Sequence, residues 1–270
     1  MVTSLDWEHN GHNSRTWRLH AVTEINLVAH FDPKLKGQTI LRRYLDLPKL
    51  VDFLRTGELY LGQASRFDDR LEGTLPEGIR RTIRELSGYV AQNGDPTEWE
   101  NKNKDRSYLG CWTLGAKDNM ALWKLYGRSA ESVAITTTVE KLRMAAPQWA
   151  RYGKVNVKKV RYIDHDGHIP NGAYAFDEGV FGFKHHAYAF EKEVRIVITC
   201  PMSKGYGEMR REIRVPVNVN SFLGSIVVAP EAGDWFFDLV ADVARKYNVF
   251  KPVRRSALTR LIARTNLTPK

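Results

Sequence analysis

The chain has 270 residues, of which 43% are hydrophobic and 27% charged. This composition is typical of a folded globular protein and excludes a mainly disordered one. Its 41 Lys and Arg outnumber 31 Asp and Glu, and the resulting formal charge of +10 favours a polyanionic partner such as nucleic acid. No apolar run approaches the ~18 to 20 residues of a membrane span, and the N-terminus carries no secretory pattern. We therefore predict a cytoplasmic protein that does not contact a membrane.

The predicted elements follow from hydrophobic spacing and from turn and cap residues. Residues 1–36 are predicted to form an N-terminal extension, and residues 37–270 a single domain. Strands rich in β-branched residues are predicted at 39–44, 59–61, 108–112, 132–137, 155–160, 193–198, 213–219 and 225–228. Helices are predicted from Asp46 to Gly57, over 77–92, from Asp118 to Gly127 and over 231–247, with a connector at 93–106. Many short strands without strict strand-helix alternation predict an α+β fold with mixed or antiparallel sheets and flanking helices.

The two cysteines, Cys111 and Cys200, limit the covalent chemistry that the chain can use. They are too few and too far apart for a disulfide framework or a Cys-rich zinc site. This fits a reducing compartment.

The leading candidate for a chemical site is the segment Phe190-Glu191-Lys192-Glu193-Val194-Arg195-Ile196, in which charged and apolar residues largely alternate. As a strand, it places Glu191, Glu193 and Arg195 on one face. Two carboxylates at positions i and i+2 lie roughly 7 Å apart, so both can engage one substrate and each affects the pKa of the other. That arrangement suits general acid-base catalysis and the stabilisation of a developing cation. The same pattern also occurs in structural strands whose glutamates pair with Lys or Arg.

Several motifs between Leu41 and Ser256 resemble those of a bacterial domain-of-unknown-function family. They are Leu41-Arg42-Arg43-Tyr44, Leu54-Arg55-Thr56-Gly57-Glu58-Leu59-Tyr60, Arg66-Phe67-Asp68-Asp69, Cys111-Trp112-Thr113, Ala121-Leu122-Trp123-Lys124-Leu125-Tyr126-Gly127 and Phe190-Glu191-Lys192-Glu193-Val194-Arg195. The family usually carries Asn-Asp-Pro-Phe-Glu where this chain has Asp68-Asp69-Arg70-Leu71-Glu72. It also tends to have Ser at the position of Thr113.

The order of these motifs is similar to that of ADP-ribosyltransferase-like proteins. In those proteins a first-strand Arg or His precedes a central aromatic or hydroxyl strand and a Glu-x-Glu-Val motif. The resemblance implies that Arg43 binds the phosphates or ribose of NAD, with Tyr44 beside it. It implies that Glu193 holds the ribose hydroxyl and stabilises the transition state, while Glu191 orients or deprotonates the acceptor.

The resemblance leaves two residues as candidates for the middle motif. Thr113 matches a hydroxyl position, whereas Tyr126 could stack on nicotinamide. Trp112, Trp123 and Tyr126 also have the spacing of aromatic residues that fill a core. The resemblance therefore predicts an ADP-ribosyltransferase-like fold and an enzyme that consumes NAD, modifying a macromolecule such as nucleic acid or hydrolysing NAD. A role in a toxin or in phage defence would fit this chemistry.

Two alternatives remain open from the sequence. A non-enzymatic domain that binds nucleic acid or protein would account for the charge of +10 and the altered acidic loop. A metal-dependent nuclease could use Asp68, Asp69, Glu72 and the glutamate pair. It lacks a lysine on the glutamate face, since Lys192 is predicted to point the other way.

Two histidine-containing segments complete the set of candidates. Asp164-His165-Asp166-Gly167-His168 has residue types that bind divalent metals, but its Asp-Gly pair favours a turn, and we expect no metal. His185-His186 precedes the glutamate pair and could line its cleft, although packed or solvent-facing histidines are commoner. The P-loop, nucleophile-elbow and HExxH patterns are absent from the sequence.

Overall fold

The structure is a computed structural model that describes residues 5–7, 17–19, 29–85, 95–166, 180–201 and 210–260. Its strands are β1 (Leu5–Trp7), β2 (Trp17–Leu19), β3 (His30–Phe31), β4 (Ile40–Asp46), β5 (Glu58–Gln63), β6 (Ser107–Leu114), β7 (Ser132–Thr138), β8 (Lys154–Lys159), β9 (Arg161–Ile163), β10 (Phe183–His185), β11 (Glu193–Thr199), β12 (Glu212–Pro216), β13 (Ser225–Val228) and β14 (Val253–Arg255). Its α-helices are α1 (Leu47–Thr56), α2 (Glu77–Glu85), α3 (Pro96–Arg106), α4 (Met120–Leu122), α5 (Val139–Ala145), α6 (Val219–Phe222) and α7 (Asp234–Lys246). A π-helical turn, Trp123–Gly127, follows α4, and 3-10 turns include Ala64–Arg66, Ala146–Tyr152, Val180–Gly182 and His186–Glu191.

One large mixed sheet organises the described residues. Its strands run in the order β14-β13-β7-β4-β6-β11-β8-β3, and β5 branches from β6 to pair with β12. The β13–β14 and β3–β8 pairs are parallel and the other pairs of this sheet antiparallel. The prediction of an α+β fold with a mixed sheet and flanking helices is confirmed.

The sheet forks at β6, and the fork positions the candidate site. The C-terminal end of β6 pairs with β4, through Thr113 opposite Arg42. Its N-terminal end pairs with β5 instead, through Leu109 opposite Gly62. The strands β4 and β5 therefore diverge on the same side of β6, while β11 pairs with β6 along its other side.

The main core lies on one face of this sheet. Strand residues of that face, such as Trp112 and Ile196, pack with apolar residues of α1, α5 and α7. The opposite face is covered by two smaller clusters. Leu109 and Val197 pack under Leu75 and Phe181, while Tyr44 packs under Trp123. Side chains of the second face are consequently shielded from water, although several of them are charged.

Helix α1 forms where its caps predict it. Asp46 Oδ1 accepts from the Lys49 backbone N at 2.9 Å, and Pro48 lies in the first turn. Gly57 ends the helix with φ 66°, a left-handed conformation that glycine adopts without a Cβ penalty. The predicted C-terminal helix is also present, as α7.

Two helical predictions are wrong. The predicted connector at 93–106 contains α3, which begins where the Asp95 carboxylate accepts from Thr97 N at 2.7 Å and Pro96 occupies the first turn. Asp118 does not cap the following helix. Asn119 does so, because its side chain accepts from Ala121 N at 2.9 Å.

Part of the predicted N-terminal extension packs on the sheet. The strands β1 and β2 pair with each other, and β3 extends the sheet beside β8. Leu35 belongs to the main core. Residues 86–92 of the predicted second helix lie outside the described residues. Within the described ranges, no helix is both long and apolar enough to cross a bilayer.

Candidate active site

The strand β11 divides its side chains between the two faces of the sheet. Val194, Ile196 and Ile198 enter the main core, so Glu193 and Arg195 lie on the second face. The prediction that the strand extends back to Phe190 is wrong, because Lys192 has φ 46° and interrupts the alternation. Glu191 instead ends the 3-10 turn His186–Glu191. The two glutamates therefore do not share a strand face.

Arg195 is the centre of the charged groups on this face. Its guanidinium is fully buried and donates to both oxygens of Glu72, at 2.5 and 2.7 Å. It also donates to both oxygens of Glu193, at 2.7 and 3.0 Å, and to the Phe181 carbonyl at 3.0 Å. Bidentate contacts to two carboxylates use the planar fork of arginine fully.

Lys184 links the two glutamates that the sequence singled out. Its Nζ donates to Glu191 Oε2 at 2.5 Å and lies 3.3 Å from Glu193 Oε2. The hydroxyl of Tyr126 donates to the other oxygen of Glu191 at 2.6 Å. The structure thus brings Glu191, Glu193 and Tyr126 together, through a lysine from β10 that the sequence analysis did not identify.

We call Glu72, Lys184, Glu191, Glu193 and Arg195 the buried charge cluster. Each of these side chains belongs to a residue that is at most 9% exposed. Three carboxylates face two cations, which leaves a formal charge of −1 when all five groups are ionised. Burying such a surplus is costly unless a proton or a positively charged ligand group offsets it.

The pKa values of the cluster are set by burial and by its cations. Burial alone would raise the pKa of Glu193, but Arg195 and Lys184 outweigh it and hold that pKa at about 2. Burial raises the pKa of Glu72 despite the opposing charge of Arg195. Of these two carboxylates, Glu72 is therefore the one that takes up a proton first. Glu191 lies at the other end of the cluster, beneath Tyr126, whose side chain is 46% exposed.

Two further groups respond to this negative charge. Burial raises the pKa of the Cys111 thiol, and the neighbouring Glu193 carboxylate raises it further. Burial, with the charges of Glu193 and Glu191, raises the pKa of Tyr162 to about 12. The Tyr162 hydroxyl accepts from Glu193 N at 2.7 Å. Both Cys111 and Tyr162 are consequently held in their neutral, protonated forms at neutral pH.

Three polar residues form a row across adjacent strands of the second face. Arg42 on β4 is opposite Thr113 on β6, and Thr113 is opposite Glu193 on β11. Because neighbouring strands are about 4.8 Å apart, the Cα atoms of Arg42 and Glu193 are separated by roughly 10 Å. We call Arg42, Thr113 and Glu193 the cross-strand row.

Arg42 is held by the segment that follows β6. Its guanidinium forms an ion pair with Asp118 and donates to the Ala116 carbonyl at 2.7 Å. The Arg42 Nε is buried and has no hydrogen-bond partner among the described residues. The Nε–H of this guanidinium is therefore free to donate to another acceptor.

The other two predicted ligand-binding residues, Arg43 and Tyr44, are engaged with β5 and with Trp123. Arg43 lies two residues from both Leu41 and Leu45 on β4, so it starts from the main-core face of the sheet. Its guanidinium donates to the Tyr60 carbonyl at 2.9 Å. It therefore bridges β4 to β5 where the sheet forks. Tyr44 is on the second face, but Trp123 covers it in an edge-to-face contact with ring centroids 4.8 Å apart.

The π-helical turn Trp123–Gly127 connects these features. π-helical turns are rare and are frequent at functional sites. Its first residue, Trp123, packs on Tyr44, and its fourth, Tyr126, reaches Glu191. A cavity of about 260 Å³ next to this turn is lined by Met120, Trp123, Lys124, Arg128, Ser129, Ala130, Ala229, Pro230 and Glu231.

Comparison with known proteins adds three solved structures. They are DarT from Thermus sp. 2.9 in complex with NAD+ (TM-score 0.39), with carba-NAD+ (0.38) and with ADP-ribosylated ssDNA (0.38). Each is 10% identical in sequence, and the matches cover 82%, 82% and 84% of this chain and 97%, 96% and 97% of those chains. No protein-family model matches the sequence, and a search of curated proteins found no match either.

Proposed function

We propose that the chain is an NAD-consuming ADP-ribosyltransferase-like enzyme. The observation that carries this proposal is the surplus negative charge of the buried charge cluster, which ends at Glu191 beneath the half-exposed Tyr126. A buried cluster in which carboxylates outnumber cations stabilises positive charge that develops on a substrate beside it. The resemblance of the motifs to ADP-ribosyltransferase-like proteins supports the same chemistry.

The side chains in and beside the buried charge cluster fit the chemical groups of NAD. Bound NAD would supply a nicotinamide-ribose bond whose cleavage spreads positive charge over the ribose ring oxygen and C1. Glu191 and Glu193 are the carboxylates that would face this charge and the ribose hydroxyls, and Lys184 fixes their relative positions. Tyr126 would either move away from Glu191 so that the ligand can enter, or stack on nicotinamide. Thr113 lies opposite Glu193 on β6 and has a hydroxyl for the ligand.

The two catalytic candidates, Glu193 and Glu191, differ in how many hydrogen bonds their carboxylates accept from the protein. Both oxygens of Glu193 accept from Arg195, and one is also near Lys184. Glu191 has one lysine partner and one tyrosine partner, and that tyrosine is half exposed. In the proposal Glu191 is therefore the carboxylate that a ligand reaches first, and Glu193 completes the pair behind it.

The diphosphate requires a cation on the same side of the sheet. Arg42 meets this requirement because it shares the cross-strand row with Glu193. Arg43, the candidate from the motif resemblance, starts from the main-core face and would have to reach the ligand through the fork between β4 and β5. The unpartnered Nε of Arg42 offers a donor to a phosphate oxygen. Replacing either arginine by Gln should raise KM for NAD more than it lowers kcat if that arginine binds the phosphates.

Nucleic acid is the acceptor class that the charge of +10 favours. The proposal therefore places transfer of ADP-ribose to DNA or RNA ahead of transfer to protein or water. The cluster gives less support to a metal-dependent nuclease. The oxygens of Glu72 and Glu193 are directed at Arg195, which occupies the position between them that a divalent metal would need.

Incubation with NAD labelled in its adenylate part tests the proposal. Purified protein would be offered single-stranded DNA, duplex DNA, RNA and a protein extract, and both labelled adduct and released nicotinamide would be measured. We expect nicotinamide release and an adduct on a nucleic acid. Glu191→Gln keeps an oxygen for the Tyr126 hydroxyl but removes the charge, and should lower turnover about 100-fold.

Glu98→Gln is the matched control. It makes the same carboxylate-to-amide change at a residue of α3 that pairs with Lys102 on the surface. Turnover in this variant should equal that of the wild type. Absence of nicotinamide release and of adduct with every acceptor, from a wild-type protein that is folded, would contradict the proposal. Salt-dependent nucleic-acid binding in that case would favour the non-enzymatic alternative.

A further inference from the structure

A second group of polar side chains gathers at the end of the small parallel sheet formed by β9 and β10. Ile163 is opposite His185 in this pair, so both strands end at the same edge. Asp164 follows β9 directly and His186 follows β10 directly. The parallel register therefore brings an acidic side chain from one strand end next to two consecutive histidines from the other.

The ligand atoms of Asp164, His185 and His186 all lie within 4.8 Å of one another. Asp164 and His186 are exposed and His185 is partly buried, so an ion from solvent can reach them. One oxygen of Asp164 accepts from Asp166 N at 3.1 Å, which leaves Oδ2 for a metal. Two imidazoles and one carboxylate form a ligand set that zinc and neighbouring transition metals use.

A third imidazole independently indicates a ligand at this edge. His165 is 5% exposed, and its ring stacks on that of His185 with centroids 5.9 Å apart. Neither of its ring nitrogens has a hydrogen-bond partner among the residues that the structure describes. Buried polar groups without protein partners are rare in folded proteins, and a bound ion or water commonly satisfies them.

We propose that Asp164, His185 and His186 bind a divalent transition-metal ion of the Zn²⁺ type, with His165 packed against the site. The three ligands leave a fourth position of a tetrahedral ion for water or another ligand. Small side-chain rotations bring the three ligand atoms to the roughly 2.0 to 2.2 Å distances of such an ion. The candidate site differs from the run 164–168 considered from the sequence, because its histidines come from β10 and the following turn.

Metal binding has a local consequence that the geometry specifies. His185 Nδ1 accepts from Ala187 N at 3.2 Å and caps the 3-10 turn His186–Glu191. Coordination through Nδ1 uses that lone pair, and coordination through Nε2 places a proton on Nδ1. In either case this hydrogen bond is lost when the ion binds.

Titration of metal-free protein with Co²⁺, followed by its visible absorption and by displacement with Zn²⁺, tests the inference. We expect one saturable site whose absorption is that of Co²⁺ bound by nitrogen and oxygen ligands. His186→Gln and Asp164→Asn should each weaken binding at least about 10-fold. Both positions are exposed, so the folded state should persist, which far-UV circular dichroism would check.

His30→Gln is the matched control, because His30 is exposed on β3 and is not part of the cluster. Its Co²⁺ affinity should equal that of the wild type. Zn²⁺ should also raise the thermal midpoint of the wild type and of His30→Gln, but not that of His186→Gln. Equal Co²⁺ affinity in the wild type and His186→Gln, or no saturable binding in the wild type, would overturn the inference. Because these readouts do not involve NAD, they are independent of the proposed enzymatic activity.

Discussion

Arg195→Met is the most informative perturbation of the buried charge cluster. Methionine fills much of the arginine volume but makes none of the five hydrogen bonds that Arg195 donates to Glu72, Glu193 and the Phe181 carbonyl. Glu193 keeps its contact with Lys184 at 3.3 Å. Glu72 loses both of its charged hydrogen bonds while it remains only 3% exposed. The main cost is therefore expected at Glu72.

Breaking a buried ion pair by removing one partner typically costs about 3 to 5 kcal/mol, because the other charge stays buried without a partner. We expect the free energy of unfolding of Arg195→Met to fall by that amount. Adding Glu72→Gln removes the unpaired charge, so the double variant should recover at least about 1 kcal/mol. The two replacements are therefore expected to be strongly non-additive.

Urea unfolding followed by circular dichroism measures these free energies. Arg245→Met is the control, since Arg245 pairs with Asp242 on the surface, where side-chain exposures are 76% and 63%. Its loss should stay within about 0 to 1 kcal/mol. A loss below about 1 kcal/mol in Arg195→Met, or a double variant no more stable than the single one, would refute the reasoning that the cluster is tightly paired.

Three further predictions concern pH, backbone geometry and Tyr126. The pKa of Glu193 is about 2 in the folded protein against 4.5 in the unfolded chain, so its contribution of about 3 kcal/mol is complete above pH 4.5 and is lost as the pH falls through about 2. Acid unfolding curves should show this loss, and Glu193→Gln should weaken it. Gly153→Ala should lower the thermal midpoint more than Gly57→Ala. The added Cβ at position 153 would lie 2.3 Å from the Thr199 carbonyl oxygen, whereas Gly57→Ala is destabilised mainly by its φ of +66°. Equal thermal midpoints of the two variants would contradict this. Tyr126→Phe should change stability by no more than about 1 kcal/mol while altering KM for NAD, and an unchanged KM would exclude Tyr126 from the ligand site.

Local signals in the sequence predict the sheet better than they predict the site. The caps Asp46 and Gly57 define α1, and β-branched runs locate β7, β11 and β13. Such features depend on neighbouring residues only. The helix α3 was missed because its polar sequence lacks an apolar stripe, although Asp95 and Pro96 form a start signal that could have been recognised.

The partners in the site depend on contacts between distant segments. Glu193 was identified by alternation, but its pairing with Lys184 needs the left-handed Lys192 and the turn before it, which no periodicity indicates. The motif resemblance favours Arg43 over Arg42, because an adjacent arginine pair does not reveal which residue shares a face with Glu193. The register of β4 on β6 decides that question, and register is a tertiary property.

The rate of nicotinamide release by Glu191→Gln, relative to the wild type at saturating NAD, tests the central claim most directly. Glu191 is the carboxylate at the mouth of the buried charge cluster, and its isosteric replacement keeps the acceptor for Tyr126. The account predicts a fall in kcat of about 100-fold at a temperature where the variant is folded, together with a lower thermal midpoint, because Lys184 loses a buried ionised partner. An active wild-type enzyme whose kcat is the same in Glu191→Gln would contradict it.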